Sequence, residues 1–341
     1  MTRTNQTDHG PRRVRMEEVA RVAGVSPATV SRALKSPETV SEKLRLRVQE
    51  AAARLGYAPN RIAGSLAGAC TPLIGVVVPS LTNSFFAATL DRMGAILDAK
   101  GYQLMIGQHD YDSDREERIV TAFSSWNPSA LVVTGRDHTR GTVSILSATA
   151  SPVIEMWDHD ERPIDSGIGF SNRDAGRLAG RHFATRGFER VAYVGALLEQ
   201  DTRARARAEG FAAEFLATTG MQPPVFDVES RDLGEGCKAL ARVLTTQPET
   251  RAIAFSGDML AAGAMFAAER AGLRIPRDLA ILGYGDLDIA AHMNPALSTI
   301  RPPRNEIGEA VADHILTRLA DPSAPKQNLD LGVELIRRAT T

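Results

Sequence analysis

The residues richest in chemistry in this sequence are arginines and carboxylates, and their spacing fits binding rather than catalysis. Positions 200–207 read QDTRARAR, which places Asp201, Arg203 and Arg207 within two helical turns. Arg231, Asp258 and Asp286 follow later apolar runs, as Asn83, Phe85, Phe86 and Glu155 follow earlier ones. A guanidinium grips an anionic group bidentately, while carboxylates and Asn take hydroxyls. Together the set reads as a cleft for a small polyhydroxylated anion. Plainer roles stand beside that reading. Asp258 can simply cap the helix it opens, Asp201 and Arg203 can pair on the surface, and the two Phe can be core. The sequence holds no GxxxxGKS/T, GxSxG, HExxH or GxGxxG, and its seven histidines are dispersed without metal-ligand spacing. The expectation is a protein that is not an enzyme, with no metal and no cofactor.

A second chemistry lies in residues 16–34, MEEVARVAGVSPATVSRAL. Val19, Ala20, Val22 and Ala23 supply an apolar side for one short helix. Gly24 stands where the chain must turn, and Ser26 and Pro27 are an N-cap and first-turn residue for a second helix. Thr29, Val30, Ala33 and Leu34 recur at helical spacing as the inner face. Pro27, Ala28 and Arg32 are left pointing outward with Ser31 beside them, the geometry of a helix made to enter a DNA groove. A surface hairpin that binds nothing is the plainer alternative, disfavoured because cap, turn and both apolar faces agree within one segment.

Charge supports the nucleic-acid reading. The formal net charge of −1 over 341 residues hides an asymmetry: residues 1–69 carry 12 Lys/Arg against 6 Asp/Glu, and the remainder 28 against 35. A basic small domain on an acidic large one suits a polyanion for the first alone. Cys70 and Cys237 have no disulfide or zinc spacing, residues 1–15 hold no apolar stretch of a signal peptide, and no run reaches a membrane span. A cytoplasmic protein without membrane contact is expected.

These residues need elements to position them. Ser41 can cap a third helix, 42–55, striped by Leu44, Val48, Ala51, Ala52 and Leu55 and ended by Gly56. Residues 61–68, RIAGSLAG, are too short to be helical alone; Arg61 and Leu66 there fit DNA, and a plain linker is the alternative. Apolar runs then recur at 73–79, 104–106, 131–134 and 153–156, and again at 191–195, 225–228, 253–256 and 280–283. Helical patterns separate them at 85–100, 116–126, 142–149, 174–185, 204–218, 236–244 and 260–271. That alternation predicts an α/β core of two doubly wound parallel-sheet subdomains, completed late by a helix at 305–319 and a strand at 329–336. The expected division is a basic disordered tail 1–14, an all-α helix-turn-helix headpiece 15–60, a hinge 61–71 and a core 72–341. Within the core, one subdomain takes about 72–168 and 300–327, the other about 169–299 and 328–341. Open parallel sheets bind ligands beyond the carboxyl ends of their strands, which is where the arginines and carboxylates fall.

The stretches VARVAGVSPATVSRAL, TVSEKLRLRVQEAAARLGYAPNRIAGSLAG and LIGVVVPSLTN resemble the lactose/galactose repressor family of bacterial regulators over nearly the whole chain. PSLTNSFF, SWNPSALVVT, PVIEMWD and YVGALLEQDTRARARAEGF are most similar to the gluconate-operon members. The resemblance implies a periplasmic-binding-protein-like core and a homodimer, possibly a tetramer, on pseudo-palindromic operator DNA. It also implies allosteric control by a sugar or sugar acid such as gluconate or a phospho- or keto-derivative. By position, Pro27, Ala28 and Arg32 match base-reading residues, Leu66 the minor-groove wedge, and Phe85, Phe86, Arg207 and Arg231 ligand-contacting positions. Many members carry Asp where this chain has Gly285 and Asn where it has Gly257, departures that favour an anionic ligand over a neutral sugar. The alternative of a transporter's solute-binding protein for a sugar shares the cleft but not the headpiece.

Overall fold

In the computed structural model, the described residues are 14–57, 71–81, 84–159 and 162–341. The expectations for the basic tail, the hinge with Arg61 and Leu66, and Asn83 lie outside them. The chain divides into two compact units, 1–69 and 70–341.

In the first unit, α1 (Met16–Ala23), α2 (Pro27–Lys35) and α3 (Glu42–Leu55) enclose a small core of Val19, Ala20, Ala23, Val30, Ala33, Val48, Ala51 and Ala52. Gly24 ends α1 in the left-handed region at φ 64°, and the Ser26 hydroxyl accepts the Thr29 N–H at 3.2 Å to start α2. Two expectations fail here. Val22 is exposed, because Val19, Ala20 and Ala23 already fill the inward arc of α1 and position 22 falls on its flank. Ser41 stands at the start of α3 without a side-chain capping bond.

The second unit is built on two six-stranded sheets. The first runs β11 (Asn328–Asp330), β5 (Ser166–Gly169), β4 (Val153–Met156), β3 (Pro128–Thr134), β1 (Thr71–Val78), β2 (Gln103–Gln108), all parallel. The second runs β12 (Glu334–Ile336), β10 (Ser298–Arg301), β9 (Ala280–Tyr284), β8 (Ala252–Phe255), β6 (Val191–Ala196), β7 (Val225–Val228), parallel except for β12. Central strands β3, β4, β6, β8 and β9 are buried at every residue, as helices on both faces require, which is why they read as largely apolar runs, with Glu155 on β4 and Ser129 and Thr134 on β3 as buried polar exceptions. Strands β5 (SGIG) and β10 (STIR) escape that reading. Their buried Ser166 and Ser298 are satisfied by distant side chains, Ser166 Oγ lying 2.9 Å from His314 Nε2.

Helix α12 (Arg304–Ala320) packs on α4 (Ser84–Asp98), with the Thr89 hydroxyl donating to the Arg304 carbonyl at 2.7 Å. The expected final strand is two strands: β11 completes the first sheet and β12 the second, with Gly332 at φ 66° between them. Residues 328–330 thus belong with the first subdomain and 300–301 with the second. Near the cleft, α7 (Asn172–Thr185) lies so close to α8 (Thr202–Thr219) that a Cβ on Gly176 would stand 2.0 Å from the Arg207 carbonyl oxygen. That approach brings Arg207 against Asn172.

Candidate functional site

Asp201 is the centre of the cleft. One carboxylate oxygen caps α8 by accepting the N–H groups of Arg203 and Ala204 at 3.1 and 3.2 Å. The other accepts Arg231 Nη2 at 2.7 Å, and Arg203 Nε stands 3.7 Å from the first. Burial alone would raise the pKa of this group. Arg203, Arg207 and Arg231, with the Ala204 N–H, hold it below the ordinary aspartate range instead.

Each arginine reaches further. Arg203 donates to the Thr134 carbonyl at the end of β3, 3.3 Å away, and so ties the second subdomain to the first. The Arg231 guanidinium lies 4.4 Å from the ring centroid of Tyr111 in the opposite subdomain. Arg207 is 7% exposed, donates to Asn172 Oδ1 at 2.5 Å and sits 4.2 Å over the Tyr284 ring. Its Nε has no hydrogen-bond partner among the described residues. Asn172 passes the link on by donating to the Trp157 carbonyl at 3.2 Å and to Asp158 Oδ1 at 3.3 Å. Burial pushes the Asp158 carboxyl above its ordinary range, with Arg203 opposing.

Beside this cluster is a cavity of about 430 Å³, a volume suited to a small ligand. Ser80 and Phe85 line it from the first subdomain; Leu197, Ser230, Arg231, Asp232, Met259 and Leu287 are among the residues lining it from the second. Asp258 opens α10 (Asp258–Arg270) but does not cap it. Its oxygens accept the Thr299 hydroxyl at 2.6 Å and the Leu287 N–H at 2.7 Å. Burial first, and then nearby Asp286, pushes its pKa up to about 6.

Three residues expected in the pocket are engaged elsewhere. Asp286 pairs with Arg301 and Arg338, each at 2.7 Å, and fastens the end of β9 to β10 and the segment after β12. Glu155 is buried on β4, accepts the Ile164 N–H at 2.5 Å and stands 3.7 Å from His138, whose other ring nitrogen is 2.8 Å from Glu116. Phe86 is core, with its ring edge on Trp157 at 5.0 Å, whereas Phe85 reaches the cavity. Tyr111 and Asn172 also take part in this network and were not singled out from the sequence. Asn172 stands before the helical pattern expected at 174–185 and in the structure takes the first position of α7 behind the Ser171 cap. Tyr111 lies between a strand end and the Asp112 cap, a loop position whose left-handed φ of 62° was the only signal, visible in the fold alone.

In the headpiece, Pro27, Ala28 and Arg32 are exposed and Ser31 is half-buried, while Val30 and Ala33 face inward. A helix of this kind presents one face for docking and owes its stability to the other.

A helix-turn-helix unit followed by a two-lobed α/β core with an interlobe cavity defines a ligand-responsive DNA-binding regulator. Residues 15–60 match the family described as Bacterial regulatory proteins, lacI family, and residues 181–341 the periplasmic binding protein-like domain. The HTH-type transcriptional regulator GntR of Pseudomonas aeruginosa is 35% identical over 344 residues, covering 100% of this chain and 99% of the relative. The GntR regulator of Escherichia coli K12 is 34% identical, covering 94% and 96%. Among solved structures, a LacI-family regulator from Silicibacter pomeroyi superposes with TM-score 0.90 at 32% identity, covering 96% of this chain and 99% of that one. The lac repressor dimer bound to operator and the anti-inducer ONPF superposes with TM-score 0.82 at 27% identity, covering 97% and 99%. The chain belongs to the LacI family. It is a DNA-binding transcriptional repressor and not an enzyme. No helix among the described residues is long and apolar enough to cross a membrane.

Proposed function

We propose that this repressor controls carbohydrate genes in response to a small sugar acid, such as gluconate or a phospho- or keto-derivative, bound in the interlobe cavity. The observation that carries the reading is the convergence of Arg203, Arg207 and Arg231 on one buried carboxylate, with Arg231 also lining the cavity. Arg231 lines the cavity beside the acidic Glu229, Asp232 and Asp258 and is the lining group there that can pair with an anionic ligand. In this arrangement Arg231 takes the ligand carboxylate. Arg207, beneath it on Asn172 and Tyr284, fixes Asp201 and the surrounding loops. Hydroxyls fall to Ser80, Ser230 and the carboxylates. On the DNA side, Arg32 reads a guanine in the major groove with Pro27, Ala28 and Ser31 beside it, in a homodimer on a pseudo-palindromic operator. Arg61 and Leu66, outside the described residues, are proposed as the minor-groove contacts.

Calorimetry with gluconate and glucose tests the effector. Wild type should bind gluconate more tightly than glucose. Arg231→Ala should weaken gluconate by about 10- to 150-fold, the loss of one charge-assisted contact worth roughly 1.5–3 kcal/mol. A wild type that prefers glucose, or an Arg231→Ala variant that binds gluconate normally, overturns the reading.

A further inference from the structure

Phe85 crosses the cleft. It lies in the first turn of α4, in the first subdomain, yet its ring meets Tyr284 edge-on at 5.5 Å in the second and stacks at 6.4 Å on Trp157. The ring rests on Gly285. A Cβ built there would stand 2.0 Å from Phe85 Cε1 and 2.7 Å from Cζ, and Gly285 has φ +125°, a conformation hostile to side chains. Backbone and ring together therefore exclude a side chain at 285. The neighbouring Asp286 is held by Arg301 and Arg338. The end of β9 thus adds no polar group of its own at this point of the cleft, and a ring from the opposite lobe takes the space. Arg231 and this ring both line the same cavity.

We propose that Phe85, seated on Gly285, is an end wall that sets the length of the effector. It selects a six-carbon sugar acid over the same acid carrying a terminal phosphoryl group. The inference rests on the sugar-acid reading above. Because Arg231 and the ring line one cavity, we place the carboxylate of a six-carbon acid on Arg231 and its far end against the ring. A phosphoryl group added there meets an apolar wall that donates no hydrogen bond, and the strand end beside it holds the buried Asp258 carboxyl. A dianion in that position is stripped of water without compensation and repelled. Arg231 serves one anionic end and cannot serve both.

The test measures gluconate and 6-phosphogluconate binding by calorimetry to wild type, Phe85→Ala, Phe85→Leu, Gly285→Ala and the Phe85→Ala/Gly285→Ala double variant. Wild type should favour gluconate by at least about tenfold, in the range that pocket sterics supply. Phe85→Ala should bring the two ligands to within about threefold of each other, and Phe85→Leu should fall between. Gly285→Ala should weaken gluconate strongly in the wild-type background and much less where the ring is gone, a non-additivity that backbone strain alone does not produce. Operator binding without effector confirms that each variant is folded, and Phe85→Leu carries the test if Phe85→Ala does not fold. An unchanged ratio in Phe85→Ala or Phe85→Leu overturns the wall while leaving the sugar-acid reading intact. A wild type that prefers glucose overturns the sugar-acid reading, and the wall is then judged by the same variants on glucose against glucose 6-phosphate. Binding of none of the four ligands overturns both.

Discussion

The headpiece and the core keep their key arginines in opposite settings. Arg32 is exposed on α2, while Arg207 is 7% exposed and committed to Asn172, Tyr284 and the field of Asp201. The difference separates two ways of building a binding residue. An exposed reader contributes little to folding, so its loss is felt only when the partner is present. A buried cluster is structure and site at once, so its loss is felt in both.

The largest effect belongs to Asp201→Ala. It removes the cap of α8 and leaves Arg203, Arg207 and Arg231 facing one another without their counter-charge. Uncompensated buried charge costs about 3–5 kcal/mol. Both tryptophans, the exposed Trp126 and the buried Trp157, lie in the second unit, so urea unfolding followed by tryptophan fluorescence reports that unit alone. A loss below about 1 kcal/mol, the scale of a helix cap by itself, would show that the cluster is not a stability element and remove the contrast.

Asp258 is next. Its folded pKa is about 6 against an ordinary 3.8, so the folded state binds the proton more tightly than the unfolded state. The stability this confers is present below pH 4, declines as pH rises toward 6 and is gone above it. The decline is on the order of 2–3 kcal/mol for a carboxyl displaced this far. Wild-type core stability should fall relative to Asp258→Asn between pH 4 and 7. Parallel pH profiles would mean that Thr299 and Leu287 satisfy the carboxylate fully.

Arg32→Ala should leave the urea midpoint of both units unchanged. On operator DNA it should cost roughly 1–3 kcal/mol, and far less on random sequence, as for a base-reading arginine. Equal losses on the two DNAs, measured by anisotropy at fixed salt, would make Arg32 a phosphate contact.

How much of this could be read from the sequence follows the same division. The headpiece is local: Ser26, Pro27, Val30, Ala33 and Gly24 settle cap, inner face and turn within one segment, so the exposure of Pro27, Ala28 and Arg32 could be worked out in advance. Helix bounds in the core were also near, because caps and apolar stripes are local signals. The cleft is not local. Asp201 and Arg231 meet across 30 residues and Asp258 and Thr299 across 41. Nothing in residues 284–287 says that Asp286 turns to Arg338, 52 positions on. Strand-end position alone pointed to loops that the fold brings together, with Arg203 and Arg231 about Asp201 and Arg231 and Asp258 lining one cavity. It could not tell which carboxylates face a ligand and which hold the scaffold. The polar strands β5 and β10 were missed for a related reason: their burial is made tolerable by hydrogen bonds from elsewhere in the chain.

The smallest effect, Ser26→Ala, tests whether stability and recognition separate within the headpiece itself. The Ser26 hydroxyl accepts the Thr29 N–H at 3.2 Å and lies 2.9 Å from the Thr29 hydroxyl, satisfying one of the free amides at the start of α2. Removing such a cap costs about 1 kcal/mol, whereas Gly at the same position costs a few tenths. Headpiece melting by circular dichroism should therefore rank wild type, Ser26→Gly and Ser26→Ala in that order. Operator affinity should follow only the folded fraction, so the three proteins should converge at low temperature, where all are folded. Arg32→Ala should do the reverse and keep its affinity defect there. A Ser26→Ala defect that persists in the fully folded headpiece would mean that the cap also sets the approach of α2 to DNA. Stability and recognition would then be as entangled in the headpiece as we propose them to be around Asp201.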